Sequence, residues 1–248
     1  MRRKIIMCIL YLTLIGSLIP LILFTLKYLE RNGIDDKVEK TVETIEVDDR
    51  SSIQKAFEEI WAINKDVVAF LYFPNTDTSF PVLQTSDNDF YLDKNLYKKY
   101  DEQGSIFMDY RSNPDFTSYN TFVYGHNIFG GNGKFSFLKK YMDESYFLKN
   151  PSFQVITPNA VYQADIFSAY LEKAFSTSNQ PDIKSRDSLN IYFDEVKAKS
   201  FYSTNPEISE NDNMITLYTC ADVGGSLSSF LNSTDRYFVH AILKKMES

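Results

Sequence analysis

Only two cysteines, two histidines and one tryptophan occur in 248 residues, and each scarcity narrows what the chain can be. Two cysteines cannot build the disulfide framework that staples small exported domains. So few histidines leave no metal-ligand cluster, and no cofactor is expected. Basic residues are short as well: 26 Lys and Arg face 33 Asp and Glu, for a net charge of −7, so nucleic-acid binding has no electrostatic footprint. Glycine is sparse, and the one rich stretch, GGNG at 130–133, lacks the strand-loop-helix setting and the lysine of a phosphate loop. There is no internal repeat and no low-complexity tract. What is plentiful is aromatic, with 17 Tyr and 20 Phe, a bias that favours strands. An apolar share of 44% excludes wholesale disorder, and the length suits one packed domain plus an appendage.

The appendage is N-terminal. Residues 5–26, IIMCILYLTLIGSLIPLILFTL, are 22 consecutive positions without a charge. At about 1.5 Å per residue such a helix crosses a hydrocarbon layer of about 30 Å. Arg2, Arg3 and Lys4 precede it, so the positive-inside tendency keeps residues 1–4 in the cytoplasm and puts the rest outside the cell. The competing reading is a cleaved signal peptide. Its apolar region is about 7–15 residues long and ends at a small-x-small site, and neither feature fits here. The expected organisation is a single-pass cell-membrane anchor at 5–26, a spacer or continuing helix at 27–50, and an extracellular domain at 51–248.

Setting the anchor aside sharpens two numbers. Residues 1–31 carry five basic groups and one acidic, which leaves −11 for the remainder. Cys8 lies within the membrane run, so Cys220 is the single thiol of the exported part and no disulfide can form within it. A leftover thiol in an exported domain invites a reactive role, although free cysteine is also among the most buried residue types.

The domain reads as mainly β. Ser51 and Ser52 are candidate caps for a helix whose Ile53, Phe57, Ile60 and Trp61 recur at helical spacing. Short apolar or alternating runs follow at Val67–Phe73, Ser79–Gln84, Ser105–Asp109, Thr121–Tyr124, Phe153–Ile156, Val161–Tyr170, Met214–Thr219 and Asp235–Leu243. Pro81 places the second of them at an edge or strand start. Turn clusters between such strands predict a barrel or sandwich. Residues 186–200 interrupt with helical spacing from an Asp187 or Ser188 cap.

A nucleophilic thiolate needs a base or a positive charge beside it. His126 stands where the strand TFVY gives way to a loop, whereas His240 is in mid-strand in DRYFVHAIL, so His126 is the candidate base and His240 a sheet residue. Attack on a carbonyl also needs a partner for the oxyanion. Past residue 31 there are four arginines, Arg50, Arg111, Arg186 and Arg236. Arg236 opens the strand that follows the Cys220 strand, and consecutive strands are commonly neighbours, so the two ends can meet. Arg111, in MDYRSNPD, has no such argument behind it.

With TLYTC, an arginine on the next strand and an upstream strand running into a Gly-His pair, the chain resembles the sortases, membrane-anchored cysteine transpeptidases of Gram-positive bacteria. The resemblance spans roughly residues 51–243 and is nearest to class B, through the N-terminal helix with Trp61, NTDTSFPVLQTSDNDFYL, GSIFMDYR and the helix before the Cys strand. It implies an eight-stranded β-barrel with flanking helices. It further implies that Cys220 attacks the carbonyl after Thr in an LPXTG-like or NPXTX-like sorting signal on a surface protein or pilin, forming a thioacyl intermediate. His126 is then the general acid and base, and Arg236 steadies the oxyanion. Asp222 matches an acidic position of class B members, and Asn88, Leu92, Tyr124 and Thr219 match positions that line the substrate groove. The family needs no metal.

One departure bears on the acceptor. Fifteen residues separate Cys220 from Arg236, including Gly224, Gly225 and a Ser-rich stretch, where class B enzymes that anchor haem-uptake proteins have a short connection. The longer connection resembles the class B enzymes that polymerise pili, whose acceptor is a pilin lysine, and that acceptor is favoured over a peptidoglycan precursor. Two rivals stay open at the level of sequence. A papain-like or cell-wall cysteine peptidase places its Cys upstream of its His, the reverse of the order here. A membrane-anchored binding module would keep Cys220 buried and inert.

Overall fold

The computed structural model describes residues 2–76, 78–127, 133–221 and 233–246. Its first helix, α1 (Arg2–Glu43), carries Pro20 without ending there and runs on into the charge-rich stretch. It is the one helix among the described residues that is long and apolar enough to cross a membrane. Its lower part is docked. Ile34, Val38 and Val42, four residues apart and so on one face, are buried among Ile53, Phe57, Ile60, Val67 and Leu83. Full burial of each such side chain contributes about 1.5–3 kcal/mol. The Arg31–Asp101 ion pair, at 2.7 Å, lies alongside and joins α1 to the loop before β3. Of the two options for residues 27–50, the continuing helix is found over 27–43.

Helix α2 (Arg50–Trp61) buries Ile53, Ala56, Phe57 and Ile60. Trp61 is only partly buried and donates its indole N–H to the Val67 carbonyl at 2.8 Å. Its cap is Asp49, whose carboxylate accepts from the Ser51 N–H, and not Ser51 or Ser52. Ser52 instead bonds the Glu46 backbone on both sides, which closes the turn after α1.

The strands are β1 (Val67–Phe73), β2 (Thr78–Leu83), β3 (Ile106–Met108), β4 (Asn120–Tyr124), β5 (Ser152–Ile156), β6 (Val161–Lys173), β7 (Asn213–Cys220) and β8 (Asp235–Lys245). They close into a barrel in the order β1-β2-β3-β4-β7-β8-β6-β5. The β2–β3 and β4–β7 pairs are parallel and the others antiparallel. Pro81 is tolerated in β2 because the ladder to β3 begins only at Val82. Between β4 and β5 lies α3 (Glu144–Lys149), and between β6 and β7 lies α4 (Arg186–Ala198). Ser185 caps α4, two or three positions before the caps expected from sequence, by accepting from the Ser188 N–H at 3.2 Å.

Alternation sorts the side chains of β7. Ile215, Leu217 and, just past the strand, Ala221 point into the barrel with Val123 and Val239. Met214 faces outward with Phe122, Phe238 and Ile242, and there Leu189, Tyr192, Phe193 and Val196 of α4 cover it. The barrel core and this outer layer are therefore two separate clusters sharing one sheet.

Candidate active site

Continuing that alternation puts Tyr218 and Cys220 on the outer face and Thr219 on the inner one. Cys220 is a free thiol, partly buried at the last position of β7. It pairs directly with Arg236 at the start of β8, two positions from the Tyr218–Phe238 pair, so both side chains leave the same face of the sheet. On the other side, Tyr124 of β4 pairs with Tyr218, and the Gly125 N–H extends the ladder to the Tyr218 carbonyl at 3.2 Å. His126 is two residues beyond Tyr124, as Cys220 is two beyond Tyr218. His126, just past β4, thus follows the same offset that puts Cys220 and Arg236 opposite each other on β7 and β8.

Local packing fixes the His126 segment. A side chain at Gly125 would meet the Phe135 ring at 2.6 Å, which accounts for the glycine before the histidine. The Phe135 N–H donates to the His126 carbonyl at 3.0 Å, and Gly133 packs on the same carbonyl. Thr219 donates its hydroxyl to the Gly125 carbonyl at 2.7 Å, and Asn127 donates its amide to the Cys220 carbonyl at 2.9 Å. These two bonds tie the strand ends that carry the histidine and the cysteine.

Burial lowers the His126 pKa below the ordinary imidazole value, while the Leu92 backbone and the Asp93 charge pull weakly the other way. The ring is therefore neutral at neutral pH. Arg236 donates to the Asp235 carbonyl at 2.8 Å. It also lies within reach of the Tyr218 hydroxyl, whose pKa burial raises and the Arg236 charge lowers. His240 is wholly different. It is fully buried, with Thr216 Oγ1 at 2.9 Å from Nδ1 and Tyr170 Oη at 2.9 Å from Nε2, and burial holds its pKa down at about 3.

A groove of about 390 Å³ opens over this row, and Cys220, His126, Arg236, Asn88, Leu92, Tyr124 and Thr219 all border it. The sequence-expected residues thus come together, apart from Asp222, which lies outside the described residues together with the 222–232 connection. Two further residues belong here: Arg111, which the sequence placed behind Arg236 as a candidate, and Asp109, which it did not single out. Asp109 is fully buried where β3 ends, and it accepts from Arg111 Nε and Nη2, both at 2.8 Å, from Asn88 Nδ2 at 2.9 Å and from Tyr124 Oη at 2.8 Å. These bonds hold its pKa below the ordinary carboxylate value even though burial itself pushes the other way. The one sequence signal was an acidic residue ending an apolar strand in IFMD.

No protein-family model matches the chain. Individual relatives do. The chain is 31% identical over 186 residues to sortase B of Listeria monocytogenes, covering 75% of each protein. Among solved structures, a sortase B–substrate complex from Staphylococcus aureus superposes with a TM-score of 0.77 at 27% identity, over 89% of this chain and 99% of that one. A sortase B complexed with triglycine gives a TM-score of 0.75 at 27% identity, over 89% of this chain and 100% of that one. An outward thiol flanked by histidine and arginine on a closed barrel, with relatives of this likeness, leads to one reading: the chain belongs to the sortase B family and is a cysteine transpeptidase that works on cell-wall proteins.

Proposed function

We propose that Cys220, His126 and Arg236 cleave a C-terminal sorting signal after its Thr and pass the acyl group to an amine. The observation that carries this reading is that Cys220 of β7, its cross-strand partner Arg236 of β8 and His126, two residues past the end of β4, border one groove. Neutral His126 takes the Sγ proton as sulfur attacks the carbonyl carbon, and Arg236 donates to the oxyanion. The C–N bond then breaks, and the imidazolium returns its proton to the leaving amine. An incoming amine attacks the thioacyl carbon and loses its proton to His126, and the departing sulfur recovers that proton.

The substrate-bound relative supports a peptide in this groove, with Asn88, Leu92, Tyr124 and Thr219 as its walls. Asp222, two residues past the thiol, is assigned to the same site. The favoured acceptor is a pilin lysine, on the strength of the fifteen residues between Cys220 and Arg236. The triglycine-bound relative favours a second reading, a peptidoglycan amine. We further assign residues 5–26 of α1 as the membrane anchor, with residues 1–4 cytoplasmic and the barrel extracellular, from the charges flanking the apolar run.

Incubating the enzyme with signal-bearing pilins and with peptidoglycan amines, and identifying the new bond by mass spectrometry, tests the acceptor. An isopeptide link between pilins supports polymerisation. Transfer to peptidoglycan amines alone refutes it.

A further inference from the structure

Resting on the reading that the sorting signal occupies the groove over Cys220, we propose that Arg111, held by Asp109, is a second cationic anchor for that peptide and a determinant of how tightly it binds. An extended peptide seated in a groove gives up water from its carbonyls, and each carbonyl left without a donor costs free energy. Leu92, Phe107 and the rings of Tyr124 and Tyr218 supply much of the groove's lining and few free donors, so donors must come from elsewhere.

Arg111 is built to supply them. A guanidinium has five N–H donors in a fixed fork. Asp109 takes Nε and Nη2, which locks the plane of the fork and leaves Nη1 without a partner among the described residues. The Arg111 side chain is 37% exposed and borders the groove, while its carboxylate partner is fully buried. Its guanidinium also lies over the Tyr110 ring, 5.3 Å from the centroid. Asp109 fixes Asn88 in the same way: its Nδ2 is given to the carboxylate and its Oδ1 accepts from the Tyr110 N–H at 3.0 Å, which settles which way the amide faces. Asp109 is thus a positioning residue, and Arg111 is the group it presents.

The Nη1 group that Asp109 leaves over is a hydrogen-bond donor and matches the carbonyl oxygens of the acyl-donor peptide, which occupies the groove before the resolving amine enters. Its effect belongs to the first half-reaction.

The test is two-substrate kinetics with a fluorogenic NPXTX-type peptide as acyl donor and triglycine as amine. Arg111→Gln, at a partly exposed position, should raise KM for the peptide about tenfold, the size expected of one charged hydrogen bond, with kcat changed less than about threefold and KM for triglycine unchanged. Arg111→Lys should not restore the peptide KM, because an ammonium cannot be held by two nitrogens and still present a third. Asp109→Asn should move the peptide KM in the same direction, with its folding checked by circular dichroism. An unchanged peptide KM in Arg111→Gln, or a shift confined to triglycine, overturns the proposal. Cys220→Ala, measured in parallel, separates this failure from failure of the catalytic reading, since retained cleavage there removes the nucleophile itself.

Discussion

The outer face of β4, β7 and β8 has two halves that differ in one respect. Over Phe122, Met214, Thr216 and His240 it is roofed by α4, and over Tyr218, Cys220, Arg236 and His126 it opens into a groove. Both halves contain a histidine whose pKa burial pushes down. In the roofed half both imidazole nitrogens are engaged, by Thr216 and Tyr170, so the ring is a structural crosspiece. In the open half His126 borders the cavity beside the one thiol of the barrel domain. A shifted pKa therefore does not separate the proposed base from the structural histidine. What separates them is that His126 borders the groove and His240 is enclosed.

The sharpest way to break this contrast is to empty the open half. Cys220→Ala should abolish sorting-signal cleavage while the thermal transition stays near wild type, because a small, partly buried side chain is replaced by a smaller one. Retained cleavage would show that another group attacks. His126→Gln should lower kcat/KM by about 10²–10⁴, the usual contribution of general acid–base catalysis. Since His126 must be neutral to accept the thiol proton, and burial depresses its pKa, the acidic limb of the kcat/KM profile should lie below 6.5. A limb well above that value would contradict a buried neutral base. Arg236→Lys should lower kcat by about 10², close to the loss of one oxyanion donor. Wild-type kinetics in that variant would take Arg236 out of the site.

The roofed half should respond in stability instead. His240→Ala leaves the Thr216 and Tyr170 hydroxyls short of a partner, each costing about 1–3 kcal/mol, with unchanged activity per folded molecule. The pH dependence follows from sign. His240 is held neutral in the fold, with a pKa of about 3, and titrates near 6.5 when unfolded, so the unfolded chain binds the extra proton between those values. Its contribution is complete above about 6.5 and is lost as pH falls toward 3. In His240→Ala that acid-side slope of the melting temperature should flatten, and an unaltered slope would assign it to other groups.

Much of this was legible in the sequence because alternation and a barrel agree. ITLYTC already separates inward Ile215 and Leu217 from outward Tyr218 and Cys220, and the tendency of consecutive strands to pair puts Arg236 beside Cys220, where it is found. Other features depend on contacts that no local pattern carries. The Ile34, Val38 and Val42 stripe of α1 is spaced as a buried face, but the acidic and basic residues around it read as a spacer. Asp49 is the cap in place of Ser51 and Ser52 because its carboxylate takes both the N–H and the hydroxyl of Ser51, while Ser52 closes the turn to Glu46. Asp109 is a single acidic letter in sequence, and its meaning appears only when β3 lies against β4 and gathers Asn88, Arg111 and Tyr124 around one carboxylate.

The central claim is that the outward thiol at the end of β7 becomes acylated. Mass spectrometry of the enzyme mixed with a sorting-signal peptide, quenched in acid before the amine is added, measures this directly. The account predicts a mass increment equal to the acyl fragment ending in Thr, located on the Cys220 peptide and released by triglycine. An enzyme that turns the peptide over with no adduct on Cys220, or with the acyl group on another residue, would contradict it.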